Sequence, residues 1–480
     1  MVFVRRAVDW SRRQIQMTGV RLFSANCTCD IEAEPLAWYR PGGYHPIHLG
    51  DVLNARYRIL HKVGWGAYST VWAARDERSQ RHVAIKVKVS KSLPTNREVD
   101  VLKKIQGADA GVMQLLDFFS IEGPNGSHDC IVAELLGPSI ADYLEAQSLT
   151  RVPLSTAKSF ARQVLIALSK LHKLNIGHGD LHTRNISLKS ESWASMTTDR
   201  LERILGSPKM SPVRSDHHDQ PLESGVPRYL VGPASAYIDP SQLNSYNIVL
   251  TDFGEAFQDG DRDKPSTLQT PLYLRAPEVI FEDEWDHGVD LWTAGCTIFE
   301  LVTGQPPFDS VMTTREILIG QMIEEIGPLP ERWSIKTKDM NIILDDEASS
   351  LQDWLEEVYL GDSERLTPHD MHEMKSLGDL LRRLMQYEPR DRQSAREAAE
   401  NHWFSLEETL DFFFLVDRAL KYNKSIHRNL FSVITLSPAS AGNKVPATTL
   451  PDLLTSSIAS CQSSKLLEAA QILHCSRRIF

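Results

Sequence analysis

The chain has 480 residues, with 52 Lys and Arg against 63 Asp and Glu, so its net charge is −11. Its 42% hydrophobic and 24% charged residues are typical of globular proteins, which excludes a collagen-like or low-complexity polymer, and its length indicates two or more lobes. The acidic balance argues against nucleic-acid binding as the main activity, because phosphate backbones are bound chiefly by clustered Lys and Arg.

The chain begins with a basic segment. Its first two dozen residues carry five arginines against one acid, Asp9. Such a start is typical of a mitochondrial transit peptide and equally of a disordered basic leader, and both interpretations stay open. We assign residues 1–45 to this N-terminal leader.

Cysteine usage and hydropathy indicate where the protein resides. Six scattered cysteines do not form a disulfide framework, which favours a reducing compartment. No apolar run approaches the roughly 18 residues that a membrane helix needs. We therefore expect an intracellular protein without a membrane anchor, in the cytoplasm or nucleus, or in mitochondria if the leader is a transit peptide.

The next part of the chain predicts strands. Tyr57–Leu60, Ser69–Ala74 and His82–Val89 are β-branched and aromatic runs separated by turn residues, which predict successive antiparallel strands. A helix from about Thr95 follows, and Cys130–Leu135 predicts another strand. A small β-rich lobe with one main helix is expected here.

Helical periodicity dominates the rest. Ser155–Leu174 predicts an amphipathic helix with Ser155 as its N-cap, and Val289–Val302 predicts a helix buried on all sides. Residues 190–245, rich in Ser, Pro, His and Asp, interrupt this pattern as a functional insertion or a disordered loop. Residues 405–480 show no sustained period, so we expect a weakly ordered tail.

Two glycines and a lysine in the first lobe predict a phosphate site. Gly64 and Gly66 lie between strand-like runs, where glycine lets the backbone approach a polyphosphate and Val71 would pack on a purine. A tight hairpin explains the glycines equally well. Lys86, however, lies in an apolar strand where it needs an anionic partner, and Glu98 on the next helix is the natural counter-charge.

Acidic and amide side chains follow at fixed positions in the larger lobe. Asp180 and Asn185 are five residues apart in one loop, as needed to accept a hydroxyl proton and to ligate a metal, and Asp252 supplies a second carboxylate. Ala276-Pro277-Glu278, Asp290-x-Trp292-x-x-Gly295 and Arg392 come next. Each motif alone occurs by chance in unrelated sequences, but the whole set of motifs in this order does not.

Over residues 57–404 these motifs resemble those of eukaryotic protein kinases. Gly64-Trp65-Gly66-x-x-Ser69-Thr70-Val71-Trp72, the preceding Tyr44-His45-Pro46 and Glu134-Leu135-Leu136-Gly137 resemble the SR-protein kinases, and the Arg-rich start resembles fungal members. The resemblance implies an α+β, bilobal fold with a small antiparallel β lobe at 46–136 and a larger, mainly helical lobe at 137–404. It also implies a serine/threonine protein kinase that uses ATP and Mg²⁺.

The resemblance implies roles for individual residues. It implies that Lys86 holds phosphates, that Asp180 takes the acceptor's proton, and that Asn185 and Asp252 ligate Mg²⁺. The implied ATP-binding residues are Gly64, Gly66, Ser69, Val71, Ala84, Lys86, Glu98, Ala133, Glu134 and Leu136. Ala133 occupies the position at the back of the adenine pocket, so we predict an open pocket there. Glu278 and Arg392 are implied to form a buried structural ion pair.

Two residues depart from the family pattern. His182, which we place in the catalytic set, stands where these kinases usually have a lysine, so we expect weaker charge stabilisation and slow or pH-dependent catalysis, although a single hydrogen bond explains it equally well. Gly179 replaces an arginine that in many kinases receives an activation-loop phosphate. A phosphate on Ser266, Thr267 or Thr270 would therefore have one cationic partner fewer. We predict constitutive activity, which does not depend on this phosphorylation.

The expected partner is a basic protein. From Asp345 to Glu364 the chain has eight acidic residues and neither Lys nor Arg. A solvated helical face is the favoured interpretation, and a dock for Arg-rich peptides is the second. We expect a monomer acting on a basic, Arg/Ser-rich protein substrate, without direct nucleic-acid binding.

Two other functional classes share parts of this pattern. The sequence His178-Gly179-Asp180-Leu181-His182 with Asn185 also resembles the catalytic loop of aminoglycoside and choline phosphotransferases, which lack the Ala276-Pro277-Glu278 platform. A pseudokinase scaffold is favoured by Gly179 and His182 and opposed by the intact Lys86, Glu98, Asp180, Asn185 and Asp252.

Overall fold

The computed structural model describes residues 27–405 except 91–96, 108–110, 191, 217–220, 235–237, 239–242, 244–245, 261–263, 309–312, 343, 345–348 and 361–366. The basic start before Cys27 and the predicted tail beyond Ser405 lie outside these residues. In the part of the chain that is described, no helix is both long and apolar enough to cross a bilayer.

The strands in the described part of the chain are two to ten residues long. In chain order they are β1 (Cys27–Thr28), β2 (Val52–Leu53), β3 (Tyr57–Gly66), β4 (Ser69–Asp76), β5 (Arg81–Lys88), β6 (Leu115–Gly123), β7 (Gly126–Glu134), β8 (Ile176–Gly177), β9 (Ile186–Lys189), β10 (Met210–Pro212), β11 (Arg214–Ser215), β12 (Tyr229–Val231), β13 (Asn247–Leu250) and β14 (Phe257–Gln258). The predicted runs of the first lobe fall on β3, β4, β5 and β7.

Helix α1 belongs to the small lobe, and the helices from α2 onward follow that lobe in the chain. They are α1 (Arg97–Lys104), α2 (Ile140–Ala146), α3 (Leu154–Lys173), α4 (Ser192–Ser195), α5 (Thr198–Leu205), α6 (Pro277–Ile280), α7 (Val289–Thr303), α8 (Arg315–Glu325), α9 (Glu331–Lys336), α10 (Leu351–Leu360), α11 (Pro368–Leu384) and α12 (Ala395–Ala399). The bilobal α+β fold expected from the sequence is confirmed.

The small lobe is one antiparallel sheet in the order β2-β3-β4-β5-β7-β6, accompanied by α1. Because side chains alternate along a strand, Val83, Ile85 and Val87 of β5 are buried in the core, while Lys86 and Lys88 share the opposite face. This face is where the site is built.

The large lobe packs around α7. Every residue of α7 except Glu300 is buried, as its apolar sequence predicts, and Gly304 ends the helix with a positive φ of 88°. The expectation that Ser155 caps α3 is wrong. The helix begins at Leu154, and the carbonyl of Pro153 accepts the N–H of Ala157 at 2.9 Å, so the preceding proline occupies the cap position.

Of the two interpretations of residues 190–245, a functional insertion or a disordered loop, the described residues support an ordered insertion. They form α4, α5 and the antiparallel pair of β10 with β12. Leu201 and Leu205 are one helical turn apart and buried, which explains why α5 packs, and Thr197 caps it. β11 pairs with β1, so the insertion contacts the start of the described chain.

Candidate active site

The two loops that carry the acidic and amide side chains are joined by strand pairing. β9 and β13 are antiparallel, with Ile186 opposite Leu250. This register places Asn185 beside Thr251, whose N–H donates to the Asn185 carbonyl at 2.9 Å. The loop of residues 178–185 and the loop that begins at Asp252 are therefore held together, although 67 positions of chain separate Asn185 from Asp252.

Lys86, Glu98 and Asp252 form an ion-pair network, as the motifs predict. Lys86 Nζ lies 2.6 Å from Glu98 Oε1 and 2.8 Å from Asp252 Oδ1. Burial alone would lower the pKa of Lys86, but the charges of Asp252 and Glu98 raise it above its ordinary value. The Lys86 charge in turn lowers the pKa of Asp252. Lys86 is therefore held as an ammonium between two acidic side chains, the arrangement expected of a phosphate clamp.

Sequence reasoning missed Lys88. Its Nζ lies 2.9 Å from Glu98 Oε2, so the buried carboxylate of Glu98 binds one lysine with each oxygen. Glu98 is therefore paired with a second ammonium besides that of Lys86. The period of two along β5 was a usable signal, because it puts Lys88 on the face of Lys86.

Asp180 and Asn185 are brought together in a tight turn. The Asn185 amide nitrogen donates to the Asp180 carbonyl at 2.8 Å and to Asp180 Oδ2 at 3.2 Å. Among the described residues, the buried Asp180 Oδ1 has no hydrogen-bond partner. A buried carboxylate oxygen without a partner is unfavourable unless a ligand satisfies it, so Oδ1 is available to an acceptor hydroxyl.

The 178–185 loop is anchored on α7. Asp290 accepts the N–H groups of His178 at 2.7 Å and of Gly179 at 2.9 Å, and it contacts His172 Nε2 at 3.0 Å. Burial alone would raise the pKa of Asp290, but His172 and the backbone donors lower it below its ordinary value. The buried anion thus holds the loop backbone just before Asp180.

His182 faces Asp180. Its Nδ1 accepts the N–H of Arg184 at 3.2 Å, and its Nε2 lies 3.2 Å from Asn185 Nδ2 and 3.6 Å from Asp180 Oδ2. The ring therefore lies against both Asp180 and Asn185. Its effect on turnover stays a prediction.

Asn185 and Asp252 fit a divalent cation shared with phosphates. Oxygen ligands are those that Mg²⁺ prefers, and such ions are commonly held by one or two protein side chains together with substrate phosphates. Among the described residues, no cage of three His, Cys, Asp or Glu side chains occurs. The unpartnered Asp180 Oδ1 beside Asn185 marks the pocket as one that a ligand completes.

The glycine turn is open and its strands are paired. Gly64 lies opposite Val71, and Gly66 lies opposite Ser69. A Cβ built on either glycine would meet no atom within 4 Å, so this backbone has free space beside it. The turn is both a hairpin and an accessible surface, and the two interpretations of the glycines are compatible.

The remaining predicted ATP-binding residues lie on the neighbouring strands and their exit. Ala84 of β5 pairs with Ala133 of β7, which is 4% exposed. Glu134 binds Lys189 at 2.7 Å, and Leu136 is half-buried. The two small residues Ala84 and Ala133 lie side by side, which supports the prediction of an open pocket.

Ala133→Phe tests this pocket. We expect the wild type to bind enlarged ATP-competitive inhibitors better than their small parents, and the variant to lose about tenfold or more of that affinity through a steric clash. Inhibition constants for matched inhibitor pairs measure the effect, and the small parent inhibitors serve as the control. Equal inhibition of the wild type by enlarged and parent compounds would show that Ala133 does not face the pocket.

Glu278 and Arg392 form the expected ion pair. The guanidinium contacts both carboxylate oxygens, at 2.7 and 2.6 Å, and the two side chains are 1% and 0% exposed. Arg392 also donates to the Gly288 carbonyl at 2.9 Å. The pair is enclosed and lies apart from the ion-pair network of Lys86, so its role is structural.

The acidic run is partly described. Asp353 and Glu357 lie on the exposed side of α10, while Leu351 and Leu355 are buried on the other side. This matches the favoured interpretation, a solvated helical face. Asp345, Asp346, Glu347, Asp362 and Glu364 lie outside the described residues.

A family model described as a protein kinase domain matches residues 57–199 and 238–404. The unmatched segment between them lies inside the predicted insertion. The serine/threonine-protein kinase SRPK of Physarum polycephalum is 30% identical over 409 residues, covering 78% of this chain and 92% of its own. A serine/threonine protein kinase of Aspergillus fumigatus is 30% identical over 388 residues, covering 78% and 90%.

Two further similarities extend these matches. The SRSF protein kinase 3 of Homo sapiens is 40% identical over 169 residues, covering 33% of this chain and 30% of its own. A crystal structure titled as a kinase domain has a TM-score of 0.52 at 21% identity and covers 75% of this chain and 98% of its own, which supports the fold alone.

Proposed function

The chain belongs to the protein kinase family and is a serine/threonine protein kinase, and we propose that its acceptors are hydroxyls in basic, Arg/Ser-rich protein segments. Members of this family use ATP and a divalent metal, and we propose Mg²⁺ as that metal. The relatives are protein kinases rather than small-molecule phosphotransferases, so the protein substrate preferred from the sequence is retained.

We propose the following division of roles in the site. Asp180 accepts the proton of the acceptor hydroxyl, because its buried Oδ1 has no other partner. Asn185 and Asp252 hold the metal, which supplies charge neutralisation at the transferring phosphoryl group when bound. Lys86 holds phosphates, while Glu98 and Lys88 fix its position.

The proposal of a basic substrate is carried by charge. The protein has a net charge of −11, and the run from Asp345 to Glu364 lacks any cation. The exposed Asp353 and Glu357 give this run an acidic face. The name of the human relative, an SRSF protein kinase, adds support. A monomeric state and an intracellular location stay predictions.

We also propose that activity needs no activation-loop phosphate. Gly179 has a φ of +78°, and a Cβ there would lie 2.6 Å from the Glu255 carbonyl oxygen, so no arginine fits. Thr270 is 2% exposed and donates to the Gly179 carbonyl at 2.6 Å, which links the two segments without a phosphate. Ser266 and Thr267 are exposed, but Gly179 offers them no cation.

One experiment tests both the preference for a basic substrate and the activity without an activation-loop phosphate. Phosphatase-treated enzyme is assayed with Mg·ATP on an Arg/Ser-rich peptide and on a matched peptide with Asp in place of Arg. We expect retained activity and a lower KM for the basic peptide. The double variant Asp353→Lys/Glu357→Lys should raise that KM by about threefold or more, as expected for lost charge pairing, with kcat unchanged.

The matched control carries the same change of charge elsewhere. Asp199 and Glu202 are exposed on α5, so Asp199→Lys/Glu202→Lys should leave the KM for the peptide unchanged. An equal rise in both doubles would indicate a long-range effect of net charge rather than a dock on α10. Loss of activity after phosphatase treatment would contradict constitutive activity.

A further inference from the structure

A segment that precedes the first long strand contacts the glycine turn directly. Tyr44, in the segment of residues 34–47 that we call the strap, is 2% exposed. Its hydroxyl donates to the carbonyl oxygen of Gly66 at 2.8 Å. This bond ends at the open hairpin of Gly64 and Gly66, the part of the chain to which we assign phosphate binding. Other contacts hold Tyr44 itself.

The tyrosine is fixed from its backbone side by a shared amide. Asn125 is buried in the turn between β6 and β7, and its Nδ2 donates to the Tyr44 carbonyl at 2.7 Å. The same nitrogen donates to the Gly225 carbonyl at 2.8 Å, in the insertion. A Cβ on Gly225 would lie 2.2 Å from Asn125 Oδ1, so this junction has no room for another residue there.

The strap and the insertion also contact β3 at Lys62, just before the glycine turn. The Lys62 ammonium lies 2.5 Å from Glu34 of the strap, and the two side chains are 1% and 0% exposed. The Lys62 carbonyl accepts the N–H of Ala234, in the insertion, at 2.8 Å. A buried charge that is paired and hydrogen-bonded fixes its neighbours, so β3 is held at Lys62, two residues before Gly64, as well as at Gly66.

From these contacts we propose that Tyr44 is a positioning residue for the glycine-rich turn and that the insertion supports it, through Gly225, which binds Asn125, and through Ala234, which binds Lys62. A hydrogen bond to the Gly66 carbonyl limits rotation of the peptide units around it. The N–H groups of the turn are then preorganised toward phosphate oxygens, and less ordering is needed when the nucleotide binds. The inference rests on the proposed binding of ATP phosphates at Gly64 and Gly66.

Tyr44→Phe removes one hydroxyl and keeps the ring. We expect the KM for ATP to rise about 3–10-fold, the effect of one lost hydrogen bond, with kcat and the KM for peptide within about twofold of wild type. Steady-state kinetics at varied ATP measure this, and thermal melting verifies that the variant is folded. A purely structural role would instead lower the active fraction and leave the KM for ATP unchanged.

Tyr39→Phe is the matched control. Tyr39 is also buried in the strap, at 5% exposure, but its hydroxyl donates to Glu34 rather than to the glycine turn. Because the Glu34–Lys62 ion pair remains in this variant, we expect its KM for ATP to rise less than that of Tyr44→Phe. A KM for ATP within twofold of wild type in Tyr44→Phe, or an equal rise in both variants, would overturn the proposal. A wild type without ATP-dependent phosphorylation would instead refute the proposed function itself.

The role of the insertion has its own test. Asn125→Ser removes the amide that joins Tyr44 to Gly225, so it should raise the KM for ATP in the same direction as Tyr44→Phe. Combined with Tyr44→Phe, it should add less than its separate effect, because both changes release the same turn. Full additivity of the two effects on the KM for ATP would separate the insertion from the positioning of Tyr44.

Discussion

Asp180→Asn is expected to lower kcat about 10²–10⁴-fold, the contribution of a positioned general base, with the KM for ATP close to the wild-type value. The substitution keeps the size of the side chain but removes the oxygen that would accept the hydroxyl proton. The anchoring of the loop through Asp290 to His178 and Gly179 is untouched, because it uses backbone N–H groups. Turnover of an Arg/Ser-rich peptide with Mg·ATP measures the loss.

The control for this experiment is another carboxylate close to the same loop. Asp142 contacts Arg184 at 3.3 Å, and its side chain is 57% exposed. Asp142→Asn should therefore change kcat by less than about twofold, as expected for an exposed ion pair. If Asp180→Asn retained more than a tenth of wild-type turnover, the proton would have another acceptor, and the role proposed for Asp180 would be wrong.

Arg392→Met is expected to lower the free energy of unfolding by about 3–5 kcal/mol, since it leaves the buried Glu278 carboxylate without its partner. Both carboxylate oxygens of Glu278 are bound by Arg392, and neither side chain is more than 1% exposed. The variant also loses the hydrogen bond to the Gly288 carbonyl. Thermal or denaturant unfolding of the purified chain measures the change.

The neighbouring Arg390 provides the matched control. It is exposed, so Arg390→Met should change stability by less than about 0.5 kcal/mol. When it is assayed well below its reduced melting temperature, the Arg392→Met variant should keep the wild-type KM for ATP. Arg392 takes no part in the ion-pair network of Lys86. Equal melting temperatures for Arg392→Met and the wild type would mean that the buried pair contributes nothing to stability.

Several elements were predictable from the residue types in their runs. Ser69–Ala74 is a mostly apolar run that lies in β4, and β5 alternates buried and accessible residues. In the larger lobe, α7 follows a sequence that is apolar nearly all round. Details at element ends were not predictable in this way. Ser155 looked like a cap, but the carbonyl of Pro153 begins α3 instead.

The insertion shows the limit of periodicity more clearly. Its elements are short, and the contacts that place them are distant in sequence. Asn125 bonds Gly225, which is 100 positions away, and Ala234 bonds Lys62. No local signal specifies such a pair, because each contact depends on where the rest of the fold places both partners.

The sequence by itself determined the family, the order of the two lobes and the identity of the charged groups, because the motifs require particular side chains in a set order. Only the tertiary structure decided how these groups are held. It gave Glu98 a second lysine, closed the space at Gly179 and brought the strap against the glycine turn. These features depend on distances between segments far apart in the chain, and such distances arise only when the lobes pack.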